Sequence, residues 1–205
     1  MGMASAEPST RDRIVSAASR LFYSEGIRAV SVDAVAAKAG VTKRTLYYHF
    51  TSKDELIDAY LKVREQPNLA RFRHWFCETE GGLAEKVRAI FRNLARSASH
   101  PKWKGCAFQR TAAELANMPG HPAIKTGAAH KKDFESWLKA RFDAEGIASA
   151  AELARQVGLL LDGAFALALL HQDPSYFESA GDGAFALVDT VVTARPGLYL
   201  DVKRA

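Results

Sequence analysis

Apolar residues recur along most of this chain at three- and four-residue intervals, with no sustained two-residue alternation and no hairpin signal, so the predicted class is all-α. The first segment, 10–24, lines up Ile14, Ala17, Ala18, Leu21 and Phe22 on one face and is stopped by Gly26. Thr10 is its expected N-cap, with Arg13 three residues on, so no capping box is expected. A second segment follows the N-cap candidate Ser31, carries Val32, Val35 and Ala36 to Ala39, and ends at Gly40. The third starts at Thr42 and turns Leu46 and Phe50 inward. The second and third are joined by KAGVTK, where Gly40 can adopt the positive φ of a sharp bend, the pattern of a helix-turn-helix. A generic three-helix bundle fits the same spacing.

From Ser52, an N-cap before KDEL, a long helix is expected to run toward Cys77 with a kink or break at Pro67. Further helices are predicted at 83–97, 107–117, 123–142, 149–170 and 182–194, separated by Gly81-Gly82, His100-Pro101, NMPGHP, Gly146 and HQDPSYFESAG, for about nine in all. The expected division is a helix-turn-helix domain at 1–52 and a larger helical domain at 53–205.

Composition narrows the class. Of 205 residues, 48% are apolar and 25% charged, which excludes a disordered, collagen-like or disulfide-framed chain. The longest strongly apolar run, 157–170, is interrupted by Asp162 and falls short of the ~20 residues of a membrane span. Residues 1–10 lack the basic start and apolar centre of a secretory leader, so the expected location is the cytoplasm, with Cys77 and Cys106 as free thiols. The net charge of +5 is informative through its placement. The first 53 residues hold eight basic and four acidic side chains, a net +4, and the other 152 carry only +1. The polyanion-facing part is therefore the helix-turn-helix.

The elements AxxLFxxxG (Ala18, Leu21, Phe22, Gly26), AxxAGV (Ala36, Ala39, Gly40, Val41) and TLYYHFxSKxEL (45–56) resemble the DNA-binding domain of the TetR family of bacterial transcriptional regulators. The resemblance covers the first quarter of the chain. It implies that the third helix enters the major groove, with Lys43, Arg44 and Tyr48 toward base edges, where a cation can donate to guanine O6 and N7. Ser31, Thr42, Thr45, Tyr47, His49, Lys53 and the loop residue Arg28 are then expected against phosphates. One of the adjacent tyrosines should instead pack on a neighbouring helix. The resemblance also implies a ligand chamber in helices four to seven and a homodimer through the last two helices, reading a palindromic double-stranded DNA operator.

Aromatic residues crowd the later part, and those expected to line a chamber for a small hydrophobic effector are Phe72, Trp75, Phe76, Trp103, Phe108, Phe134 and Phe165, with Gln109, His130 and Asp162 as polar fixers. Packed core is the ordinary role of such residues. Asp162, within VGLLLDGAFALALL, must find a partner, pocket or water. DGAFAL occurs at 162–167 and again at 182–187, which suggests a close-packed dimer seam with Phe165 and Phe185 as knobs. Cys106, between Lys104 and a helix start, offers a redox or electrophile-sensing alternative, with Cys77 as its resolving partner.

An enzyme is the rival class. No Gly-rich phosphate loop, GxSxG, HExxH or CxxC is present, and no catalytic residue, cofactor or metal site is expected. The expected function is a DNA-binding repressor released by its effector; an architectural protein with a filled core is a third reading. Neutralising basic residues before residue 54 should weaken duplex binding far more than neutralising the same number after it, measured by fluorescence anisotropy across a salt titration. Equal losses would contradict this placement.

Overall fold

The computed structural model describes residues 7–194, so part of the leader reading for residues 1–10 lies outside the described residues. Nine helices and no strand are found among the described residues: α1 (Thr10–Glu25), α2 (Val32–Ala39), α3 (Lys43–His49), α4 (Lys53–Cys77), α5 (Leu83–Ala98), α6 (Ala107–Glu114), α7 (Pro122–Ala144), α8 (Ala150–His171) and α9 (Ser175–Thr193).

Helix starts follow local chemistry. Ser31 and Thr42 cap α2 and α3, their hydroxyls accepting from the Ala34 and Thr45 N–H groups at 3.0 and 3.1 Å. Gly40 closes α2 at φ 65°, ψ 40°, a left-handed position that costs glycine little. The α1 cap is Ser9 rather than Thr10: its hydroxyl accepts from the Asp12 N–H at 3.1 Å. Helix α4 is capped by Ser52 and runs unbroken through Pro67. Pro67 and Val63, four residues earlier, are both exposed, so solvent can replace the missing donor there.

Helix α9 begins seven residues earlier than expected. Asp173 accepts from the Ser175 N–H at 2.9 Å and Pro174 precedes the first turn, so DPS starts the helix. The Ser175 hydrogen bond holds the Asp173 carboxyl below its usual range.

The residues group into two compact units. One comprises the chain up to Asn68 with Cys106–His130; the other comprises Leu69–Gly105 with the chain from Lys131 onward. This line differs from a division at residue 53, because Leu56, Ile57, Tyr60 and Leu61 of α4 are buried in the same core as Ile14, Phe22, Val35, Leu46 and Phe50. Ala107, Phe108, Leu115 and Ala123 join that core. Tyr60 meets Phe22 edge-on at 5.7 Å, and burial pushes its phenol up to about 12. Helices α4 and α7 each contribute to both units.

In the second unit, α5 buries Val87, Ile90, Phe91 and Leu94, and α9 packs against it and against α8. Phe72, Phe134, Trp137 and Phe76 form an aromatic series with ring centroids 5.3 to 5.9 Å apart. Asp162 is ion-paired with Lys131, whose ammonium also lies 5.6 Å from the Phe165 ring centroid. The two DGAFAL copies place their phenylalanines differently, one buried and one half-buried. Phe165 is buried against Phe177 at 5.0 Å, and Phe185 lies 4.3 Å beneath the Arg88 guanidinium. Leucines take the outward positions instead: Leu159, Leu167, Leu170 and Leu187 are exposed, and Leu159, Leu167 and Leu187 border an apolar groove of about 560 Å³ between α8 and α9.

Helix α8 has the length and composition of a membrane span, at 22 residues and mean hydropathy 1.6, although its uninterrupted apolar run was expected to be too short. Its buried face packs on α9, and the helix also carries the half-buried Asp162.

Gly181 allows a close approach of α9 to α5: a Cβ there would lie 2.8 Å from the Phe91 Cβ. Glycine-to-alanine changes in open helix positions ordinarily stabilise by about 0.5–1 kcal/mol. Gly181→Ala should have the opposite sign, destabilising by about 1–3 kcal/mol in urea unfolding. A gain in stability would show that the two helices are not held this closely.

Candidate nucleic-acid interface

The candidate recognition surface is built on a helix of seven residues. Leu46 and Phe50 have no exposed surface, and they fix the inner side of α3. Lys43, Arg44, Tyr47 and Tyr48 are all exposed, and at 100° per residue they span an arc of about 140° on the other side. The two tyrosines do not divide between core and surface as expected: Tyr47 is 43% and Tyr48 86% exposed, because Leu46 already fills the inward position. His49 is half-buried and meets Tyr48 edge-on at 5.2 Å.

Around this helix stand the other expected contacts. The Ser31 and Thr42 hydroxyls accept the cap bonds of α2 and α3, and Thr42 also hydrogen-bonds the half-buried Thr45 hydroxyl at 2.8 Å. Such caps place hydroxyls and helix N-termini together, the arrangement that binds phosphate oxygens. Lys53 is the first residue of α4. Burial lowers its ammonium from the ordinary value, against the opposing charges of Glu114 and Asp54. Arg28 is exposed in the α1–α2 loop, and its own N–H donates to the Glu114 carboxylate at 2.9 Å.

Several residues that shape this surface carry no local sequence signal. Glu114, on α6, accepts from the Ile27 and Arg28 N–H groups, and Arg110 donates to the Tyr23 carbonyl at 2.7 Å. These contacts join positions 86 or 87 residues apart. Two cations in the basic N-terminal count also serve the fold. Arg13 donates to the Ala39 and Gly40 carbonyls at 3.2 Å, holding the turn, and the Arg11 guanidinium lies 4.9 Å from the Phe50 ring centroid. Asp33 is an acid within this basic surface, 3.0 Å from the Lys43 ammonium.

The ten residues expected around an effector are distributed over both units. Phe108 stacks on the buried His130 at 3.9 Å in the first unit, where Gln109 is half-buried. In the second unit, Phe72, Trp75, Phe76 and Phe134 belong to the aromatic series, and Trp103 and Phe165 each contact Phe177. Trp103 also borders a cavity of about 410 Å³, and Asp162 has its partner in Lys131.

These features define an all-helical protein whose N-terminal unit presents a cationic and aromatic helix-turn-helix surface. Residues 14–60 match the family described as bacterial regulatory proteins, tetR family. The TetR-family transcriptional regulator SCO4454 from Streptomyces coelicolor is 32% identical, with a TM-score of 0.74 over 90% of this chain and 94% of that one. A TetR transcriptional regulator from Streptomyces avermitilis, sav143, is 29% identical, with a TM-score of 0.73 over 86% of this chain and 98% of its own. The HTH-type transcriptional repressor KstR2 of Mycobacterium tuberculosis is 30% identical over 130 residues, 63% of this chain and 64% of the repressor, so the match spans just under two thirds of that relative's length. The chain belongs to the tetR family of bacterial regulatory proteins.

The redox alternative finds no support. Cys106 is a half-buried residue packed against the first unit's core, and Cys77 is a free, exposed thiol in the other unit.

The contrast between faces of α3 is testable. Leu46→Ala should cost about 2–5 kcal/mol of stability. Tyr48→Ala should stay within about 0.5 kcal/mol of the parent while weakening duplex binding. Denaturant unfolding and anisotropy titrations measure the pair; a large stability loss for Tyr48→Ala would place that ring in the core.

Proposed function

We propose that this protein is a ligand-responsive transcriptional repressor that binds a palindromic operator as a homodimer and leaves it when a small hydrophobic effector binds the helical part of the chain. The observation that carries the reading is the α3 surface: exposed Lys43, Arg44 and Tyr48 over a helix whose inner side is sealed by Leu46 and Phe50. In this reading Lys43, Arg44 and Tyr48 reach base edges, and Arg28, Ser31, Thr42, Thr45, Tyr47, His49 and Lys53 hold phosphates. The functional division is a DNA-binding part at 1–52 and a sensing and dimerising part at 53–205, acting in the cytoplasm.

Dimerisation is assigned to α8 and α9, whose exposed leucines border an apolar groove. One short helix reads only a few base pairs, and a two-fold dimer doubles the site. Repression rather than activation follows KstR2, which is described as a repressor. The aromatic residues named above suit a planar or hydrophobic effector.

Release requires an effector that binds the DNA-incompetent dimer better than the competent one. Helix α4 is the proposed lever, because its first turns are buried with α1–α3 while its later turns belong to the second unit. Shifting α4 changes the separation of the two recognition helices. The Glu114 and Arg110 contacts supply a second link, since Glu114 holds the loop that carries Arg28 and Arg110 holds the last turn of α1 before it.

The test begins with selecting duplexes from random or genomic DNA with purified protein. Lys43→Ala/Arg44→Ala should then lose at least about 2 kcal/mol of affinity for the selected duplex, with a shallower salt dependence. Unchanged affinity and salt slope would overturn the recognition-helix assignment.

A further inference from the structure

We infer that Asp33 is a specificity-determining positioning residue: by holding the Lys43 ammonium, it keeps that cation off the phosphates of unselected DNA while leaving it able to donate to a base edge. The inference rests on α3 being the recognition helix. Asp33 is the second residue of α2 and Lys43 the first of α3, and Asp33 Oδ2 lies 3.0 Å from Lys43 Nζ. Both side chains are exposed, 66% and 55%, so the tight turn at Gly40 brings them together rather than burial. The hydrogen bond to Asp33, and then its charge, raise the Lys43 ammonium from its ordinary value.

A carboxylate in a surface that meets a polyanion repels it, so its presence needs a compensating role. An ammonium has three donors. One can remain on Asp33 while the others reach guanine O6 or N7 in the major groove. A phosphate brings a second full negative charge up to the Asp33 carboxylate, which a neutral base edge does not. To bind it as a released cation, Lys43 must leave one anion for another, and little counterion release results while the pair persists. The pair therefore reduces what Lys43 contributes through phosphates, which every sequence offers, and retains what it contributes at a matching base edge. A strut that merely joins α2 to α3 is the competing role, and salt dependence separates the two.

The experiment uses the full chain with two probes: a duplex selected with the parent protein and a scrambled duplex of equal composition, each titrated between 50 and 200 mM KCl. Asp33→Asn is expected to bind the scrambled duplex about tenfold more tightly at the low-salt end, with a log–log slope steeper by about 0.9, the value for one added phosphate contact. The selected duplex should gain less, so discrimination falls at least threefold, and Asp33→Glu should restore the parent values. Asp33→Asn/Lys43→Gln leaves net charge unchanged and keeps the inference testable if the single variant folds poorly. It should lose affinity for the selected duplex without the steeper scrambled-duplex slope of Asp33→Asn. An unchanged Asp33→Asn slope, equal gains on both duplexes, or a double variant whose scrambled-duplex slope becomes shallower would overturn the inference. Equal loss on both duplexes with a lowered melting temperature for both variants would assign the pair to the strut role and also overturn it. If the parent protein enriches no duplex, the recognition-helix reading fails first.

Discussion

The burial of α4 against the first three helices is the constraint on which the rest depends. Helices α2 and α3 have eight and seven residues, far below the length at which an isolated helix holds together in water. Their order comes from a shared core, and Leu56, Ile57, Tyr60 and Leu61 of α4 form part of it. The outward arc of α3 is therefore set by contacts on its hidden side. Moving α4 would disturb that core, which is why the same helix is the proposed lever for release.

Charge follows the same logic of double use. The basic excess before residue 54 located the DNA-facing part, but its members do not all face outward. Arg13 holds the turn after α2, and Arg11 lies over Phe50. Lys53 is partly withdrawn from water beside Glu114 and Asp54. The proposed recognition role falls to the exposed cations of α3, and one of them, Lys43, is itself paired. A net charge is a count of groups, whereas binding depends on which of them can exchange their present partners for phosphate or base.

Legibility tracked how local each determinant is. Ser31, Thr42, Gly40 and Ser52 act within one helical turn, so the boundaries of α2, α3 and the start of α4 were readable from the chain. Leu46 and Phe50 were readable because a seven-residue helix has one inward side. Where two residues competed for one role, neighbours decided: Ser9 caps α1 ahead of Thr10, and Asp173-Pro174 starts α9 before Asp182. The orientation of Phe165 and Phe185 depends on Phe177 and Arg88, and so lay beyond a repeat read in isolation. Glu114 was invisible for the strongest reason: its partners Ile27 and Arg28 are 86 or 87 residues away. The same holds for the effector residues, whose grouping depends on tertiary packing.

Backbone hydrogen exchange of the full chain, with and without the duplex it selects, tests the central claim most directly. If α3 is the recognition helix on a surface organised by α4, peptides covering residues 26–54 gain protection on binding, while those covering 123–170 change little. Protection confined to the later helices, or absent from 42–49 at saturating duplex, would contradict the account.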